Sequence, residues 1–307
     1  MSASPQPPVP TSSAAPPAAV TKHYVIALAC PDGPGIVHAV TGVLAHLGGN
    51  ITDSQQFGDP DTGRFHMRVQ VSADLDAPAL RGAFAPVAQR FGMEWTLDEL
   101  GRPLRTLVMV SKAGHCLNDL LFRTRAGQLP VDVVAVAGNH RDLEPLAGFY
   151  GVPFHHLPVD RSVAAGEPGS LEAAEAALLG LVDSLDVELV VLARYMQILS
   201  PELCRALSGR AINIHHSFLP SFKGARPYAQ AHVRGVKIIG ATAHYVTPDL
   251  DEGPIIEQDV HRVDHGMTVA ELQSIGQDVE AQVLARAVRW HAEHRVLLDG
   301  HRTVVFR

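Results

Sequence analysis

The sequence predicts two units in tandem: an α+β ferredoxin-like unit, then an α/β Rossmann-like unit with a mostly parallel sheet. Three observations predict this. The chain has 307 residues, long for one compact domain and right for two. Residues 21–100 read as strand, helix, strand, strand, helix, strand, the order of the split βαβ arrangement. From residue 105 onward, apolar strand segments alternate with helical patterns, which implies a parallel sheet covered on both faces.

The elements follow in order. Residues 1–20, "MSASPQPPVPTSSAAPPAAV", are rich in Pro, Ala and Ser and are expected to be a disordered tail, because they cannot bury enough surface to offset chain entropy. They carry no basic start and no continuous apolar stretch, so a secretory signal is not expected. "HYVIALAC" is an apolar strand. In "PDGPGIVHAVTGVLAHLGG", Asp32 is expected to cap a helix with Pro34 in its first turn. Ile36, Val40, Val43, Leu44 and Leu47 recur at helical spacing, and Gly48 and Gly49 end the run. "NITDSQQFGDPDTGRFHMRVQV" reads as two strands around a "DPDTG" turn, followed by a helix near 76–91 and a strand near 93–99. "DELGRPLR" (98–105) links the two units, placed at 21–100 and 105–307. The second unit then runs "RTLVMVS", a helix from about 115, "VDVVAVAG", a helix near 142–150, "VPFHHLP", a helix near 170–184, "VELVVLA" and "AINIHHS".

Composition narrows the function classes. Hydrophobic residues make up 46% and charged residues 19%, as in an ordinary globular protein. A net charge of −7 with no Lys/Arg block argues against a nucleic-acid partner. No apolar run approaches membrane-spanning length. Cys30, Cys116 and Cys204 are scattered and odd in number, which disfavours a disulfide framework or thiolate zinc site and fits a cytoplasmic location.

"NIHHSFLPSFKGA" (213–225) places Asn213, His215 and His216 at the end of an apolar run. Ligands of open α/β sheets lie beyond the carboxyl ends of strands. Asn213 and His215 share one strand face by alternation, and His216 is expected to point elsewhere. Downstream, "VKIIGATAHYV" is a strand, "TPDLDEG" a turn with Asp251 at its tip, and "PIIEQDV" a returning strand. An amide, an imidazole and a carboxylate suit attack on a carbonyl: two can donate to an oxyanion, and the third can orient a nucleophile and accept its proton. Singly, Asn213 and Asp251 would also serve as turn residues. Adjacent strand residues face apart, so His215/His216 makes a poor chelate. The pairs His261/His265 and His291/His294 lack a convincing ligand set.

Two resemblances bear on these residues. The stretch with "PDGPGIV", its helix and "GGNI" resembles the ACT regulatory domain. That implies pairing of chains into a homo-oligomer and a small effector, with glycine and methionine the candidates because both are tied to one-carbon supply and use. "NIHHSFLPSFKGA" followed by "GATAHYVTPDLDEGPI" resembles the formyltetrahydrofolate-dependent formyltransferase fold family. The resemblance implies Asn213, His215 and Asp251 as the catalytic set, His244 near the site, and Met196, Ile198 and Leu199 of "LARYMQILS" in the folate pocket. It further implies the member class that carries an ACT-like domain in front and uses water as formyl acceptor. The expected reaction is hydrolysis of 10-formyltetrahydrofolate to formate and tetrahydrofolate, with folate as substrate and no metal or prosthetic group. An amine-directed formyltransferase and a non-catalytic ligand sensor are the alternatives. Two positions depart from the pattern. "SKAGHCLNDLL" keeps only Gly114 of a phosphate cradle, with His115 and Cys116 replacing small polar residues. Ala229 stands where the water-using class is expected to have histidine.

Overall fold

The computed structural model describes residues 21–160, 162–219 and 227–307. The 1–20 tail, and Pro220 and Gly224 of the 213–225 motif, lie outside the described residues.

The first unit is a four-stranded antiparallel sheet in the order β2-β3-β1-β4. Its strands are β1 (Lys22–Pro31), β2 (Asn50–Asp59), β3 (Arg64–Ala73) and β4 (Glu94–Glu99), with helices α1 (Ile36–His46) and α2 (Ala77–Phe91). Ile36, Val40 and Leu44 of α1 and Leu80, Phe84 and Ala88 of α2 are buried, so both helices turn one apolar stripe to the sheet. Asp76 caps α2, its side chain accepting from the Ala79 N–H. The expected cap of α1 is corrected. Helix α1 starts after Gly35, at φ 91° and without a side-chain cap. Asp32 instead extends the sheet, its N–H donating to Gly63 O at 2.8 Å. The chain must reverse at Gly35 through a left-handed conformation that favours glycine, which keeps Asp32 and Pro34 outside the helix.

The second unit is a seven-stranded sheet in the order β11-β10-β9-β8-β5-β6-β7. Strands β5 (Leu104–Val110), β6 (Val131–Gly138), β7 (Phe154–His156), β8 (Leu189–Leu192) and β9 (Ala211–His215) are mutually parallel. Strand β10 (Ile238–Tyr245) runs antiparallel to both β9 and β11 (Ile255–Arg262). Burial of β5 and β8 is nearly continuous, as expected for strands covered on both faces. Helices α3 (His115–Arg125), α4 (Glu144–Tyr150) and α5 (Leu171–Ser184) fall where the sequence pattern placed them. Sequence reasoning did not anticipate α6 (Pro201–Ala206), α7 (Pro227–Arg234), the 24-residue α8 (Val269–Ala292) or the β12–β13 hairpin (Val296–Asp299, Arg302–Val305). Helix α8 begins with a capping box formed by Thr268 and Glu271. Its Val283, Leu284 and Val288 belong to the same core as Val108 of β5 and Ile212 of β9.

The two units meet through α8 and the hairpin. Arg68 of β3, fully buried, donates to Glu293 O (2.8 Å) and His294 O (3.1 Å) and pairs with Asp53 (2.9 Å). Arg302 of β13 pairs with Asp59 of β2. Among the described residues, no helix is long and apolar enough to cross a membrane.

Candidate active site

The polar set forms because β9 and β10 are in register. His244 stands directly opposite Asn213, and Asn213 Nδ2 lies 3.2 Å from His244 Nε2. On its other side, His244 Nδ1 is 2.9 Å from Tyr245 O. A carbonyl only accepts, so Nδ1 carries the proton and Nε2 accepts from the Asn213 amide. Burial lowers the His244 pKa, which fits that neutral form. One Asn213 N–H is thereby used and the amide orientation fixed.

The loop after β10 brings in the carboxylate. It folds back along the strand so closely that a Cβ on Gly253 would lie 1.7 Å from Tyr245 O. Asp251 takes a left-handed backbone, at φ 58°. Its Oδ1 is 3.1 Å from His215 Nδ1 and 3.8 Å from His244 Nε2. The His215 hydrogen bond holds the Asp251 carboxyl below its usual range, against the opposing effect of burial. Asp251 is therefore an anion at neutral pH, and His215 donates to it from Nδ1. The expectation that His216 turns away is corrected: the two rings stack, 4.9 Å apart and 18° from parallel. Strand β9 ends at His215, so alternation no longer governs the next residue. Burial, then Arg194 and His215, push His216 down to about 4.

These groups line a cavity of about 430 Å³ together with Met196, Ile198 and Leu199. Met196 and Ile198 are exposed into this space, while Leu199 packs against the core beneath α5. Their loop is pinned at both ends. The Met196 N–H donates to Ser111 Oγ (2.9 Å), and the Ser200 N–H to Glu175 Oε1 (2.7 Å). Thr242 of β10 holds the segment after His216, accepting from the Leu219 N–H and donating to Ser217 O.

One buried charged cluster was not anticipated from the sequence. Glu280 of α8, 1% exposed, faces His115 at 2.8 Å, Arg194 at 3.3 Å and Tyr228 at 2.5 Å. Burial works to raise its pKa, but the His115 bond, Arg194 and Tyr228 together hold it low. Among the described residues, His115, Cys116 and Glu280 bring ligand-type atoms within 4.8 Å of one another. The Arg194 guanidinium already answers the carboxylate's charge, and burial raises the Cys116 thiol well above its usual value, so the trio does not suit a cation. Ala229 lies on α7 beside Tyr228.

The doubly covered sheet, with Asn213, His215 and Asp251 at its cavity, is of the formyl transferase class by its family model. The "Formyl transferase" family model matches residues 104–288 and the "ACT domain" model residues 24–86. A formyltetrahydrofolate deformylase of Corynebacterium sp. (strain P-1) is 52% identical over 92% of this chain and 98% of its own. The crystal structure of a Pseudomonas syringae formyltetrahydrofolate deformylase superposes with a TM-score of 0.88 at 45% identity, covering 93% of this chain and 95% of that one. The chain belongs to the formyltetrahydrofolate deformylase family. A more distant structure, glycinamide ribonucleotide transformylase 1 from Symbiobacterium toebii, is 32% identical with a TM-score of 0.61, over 69% of this chain and 98% of that one.

Proposed function

We propose that this chain hydrolyses 10-formyltetrahydrofolate to formate and tetrahydrofolate, with Asp251 activating water and Asn213 and His215 stabilising the oxyanion. The observation that carries the reading is the ionised Asp251 held 3.1 Å from His215, with Asn213 tied to His244 alongside. Neutral water is a weak nucleophile, and it must lose a proton as it bonds to the formyl carbon. Asp251 accepts that proton. The carbonyl electrons move to oxygen, where the Asn213 N–H not bonded to His244 receives the charge, with His215 Nε2 as a second donor when both ring nitrogens carry protons. When the carbon–nitrogen bond breaks, its electrons pass to the folate nitrogen. That nitrogen takes a proton through His215 or an Asp251-linked water, so the pair ends as it began.

In this reading His244 acts through Asn213, since both its nitrogens are engaged. The apolar wall of Met196, Ile198 and Leu199 receives the folate ring, as such pockets do. The N-terminal unit binds a small effector such as glycine or methionine and pairs chains into an oligomer. The test is formate release by the full-length protein in amine-free buffer. Turnover that depends strictly on an added amine would sink the hydrolase reading and favour transfer.

A further inference from the structure

The cluster around Glu280 takes no part in the attack described above. It lies at the first residue of α3, directly after β5, an inner strand of the sheet. In open parallel sheets this is where a phosphate meets helix N–H groups. Here the place is filled from within. His115 is 18% exposed, and its Nε2 is 2.8 Å from Glu280 Oε2. Arg194 Nε is 3.3 Å from the same oxygen. The Tyr228 hydroxyl donates to the other oxygen at 2.5 Å. Tyr228 reaches that far only because residue 276 is glycine, where a Cβ would lie 2.1 Å from the hydroxyl. Cys116 fills the space beside them as a buried neutral thiol.

His115 and Tyr228 are thus turned onto an internal carboxylate, with the Arg194 charge beside it. An incoming phosphate would have to take His115 away from Glu280, leave a buried charge short of a partner, and approach that charge as a second anion. The more distant relative is named for glycinamide ribonucleotide, a phosphorylated amine. Resting on the hydrolase reading, we propose that the His115–Glu280–Tyr228 cluster is a specificity determinant. It occupies the acceptor position, excludes phosphorylated amines and leaves water as the acceptor. Selectivity here comes from an obstacle to the wrong partner.

The test uses full-length protein with glycinamide ribonucleotide as probe. Its affinity is read by calorimetry and by inhibition of formate release. His115→Ser removes the ring while Glu280 keeps Arg194 and Tyr228. Glu280→Gln removes the buried charge that holds His115 and Arg194, so it serves if His115→Ser melts early. Wild type should show no binding. The folded variants should each bind at least about 10-fold more tightly, a size reasonable for opening a filled pocket. Equal affinity in wild type and variants, whether tight or absent, overturns the proposal. Formate release by wild type without amine is scored separately. Its failure removes the hydrolase reading, whereas its success without any gain in the variants removes only this inference.

Discussion

At the scale of single residues, Asp251 carries the heaviest demand. It is the acidic member of the set, and its partner His215 keeps it ionised. Asp251→Asn retains size and much of the hydrogen bonding but removes the proton acceptor. Formate release in a single turnover should fall about 10²–10⁴-fold. Equilibrium binding of a folate analogue should change little, because the apolar wall at Met196 and Ile198 is untouched. Near-normal release would remove Asp251 from the mechanism, and lost binding alongside lost release would make it a structural turn residue. That Asn213, His215 and Asp251 come together was legible from strand alternation and the turn that follows β10. Glu280 was not legible. It follows Val279 and precedes Val283 and Leu284 on a long helix, and a lone carboxylate there reads as a solvated face. Its partner His115 is 165 residues away in sequence, so only the folded chain reveals the pair.

At the scale of elements, the loop between β10 and β11 sets the position of Asp251. Gly253→Ala would drive a methyl group into Tyr245 O, so the loop must lift. A shift of about 1 Å at a catalytic group can cost about 10²-fold. Formate release should fall to that order with the folate analogue still bound, and unchanged turnover would show that the loop tolerates the displacement. Helix α8 is joined to β10 by the Tyr245 hydroxyl, 2.7 Å from His291 Nδ1. Burial, with His294 adding repulsion, pushes His291 down to about 4, below an unfolded value of about 6.5. Between these values the unfolded chain binds a proton that the folded chain refuses. This contribution is therefore full above about pH 6.5 and is lost as pH falls toward 4. The melting temperature should drop over that window, and His291→Asn, which can still accept from Tyr245, should flatten the slope. An identical slope would clear His291. The strand–helix alternation of both units could be read from hydrophobic spacing. Helix α1's start could not, because the turn at Gly35 is a backbone requirement that competes with the capping tendency of Asp32.

At the scale of the whole molecule, α8 connects the two units. Its 24 residues span about 36 Å at 1.5 Å per residue. Glu280, in its middle, holds Arg194 at the cavity, and the carbonyls just past its end, Glu293 and His294, accept from the buried Arg68 of the N-terminal sheet. A cation at a helix carboxyl end is favourable, so the sheet grips α8 where the dipole rewards it. An effector that shifts β3 would move this grip and pass the change along a rigid element to the cavity. Such coupling requires different affinities for the two positions of the helix. Glycine or methionine should therefore change formate release by the wild-type protein. Arg68→Met leaves the Glu293 and His294 carbonyls unmet, at about 1–3 kcal/mol for buried groups, and should lower the melting temperature. In the same variant Asn213, His215 and Asp251 keep their positions, so basal release should persist while the amino-acid response disappears. A variant that responds as wild type does would show that coupling bypasses Arg68. A wild type that responds to neither amino acid would leave the N-terminal sheet with assembly as its function.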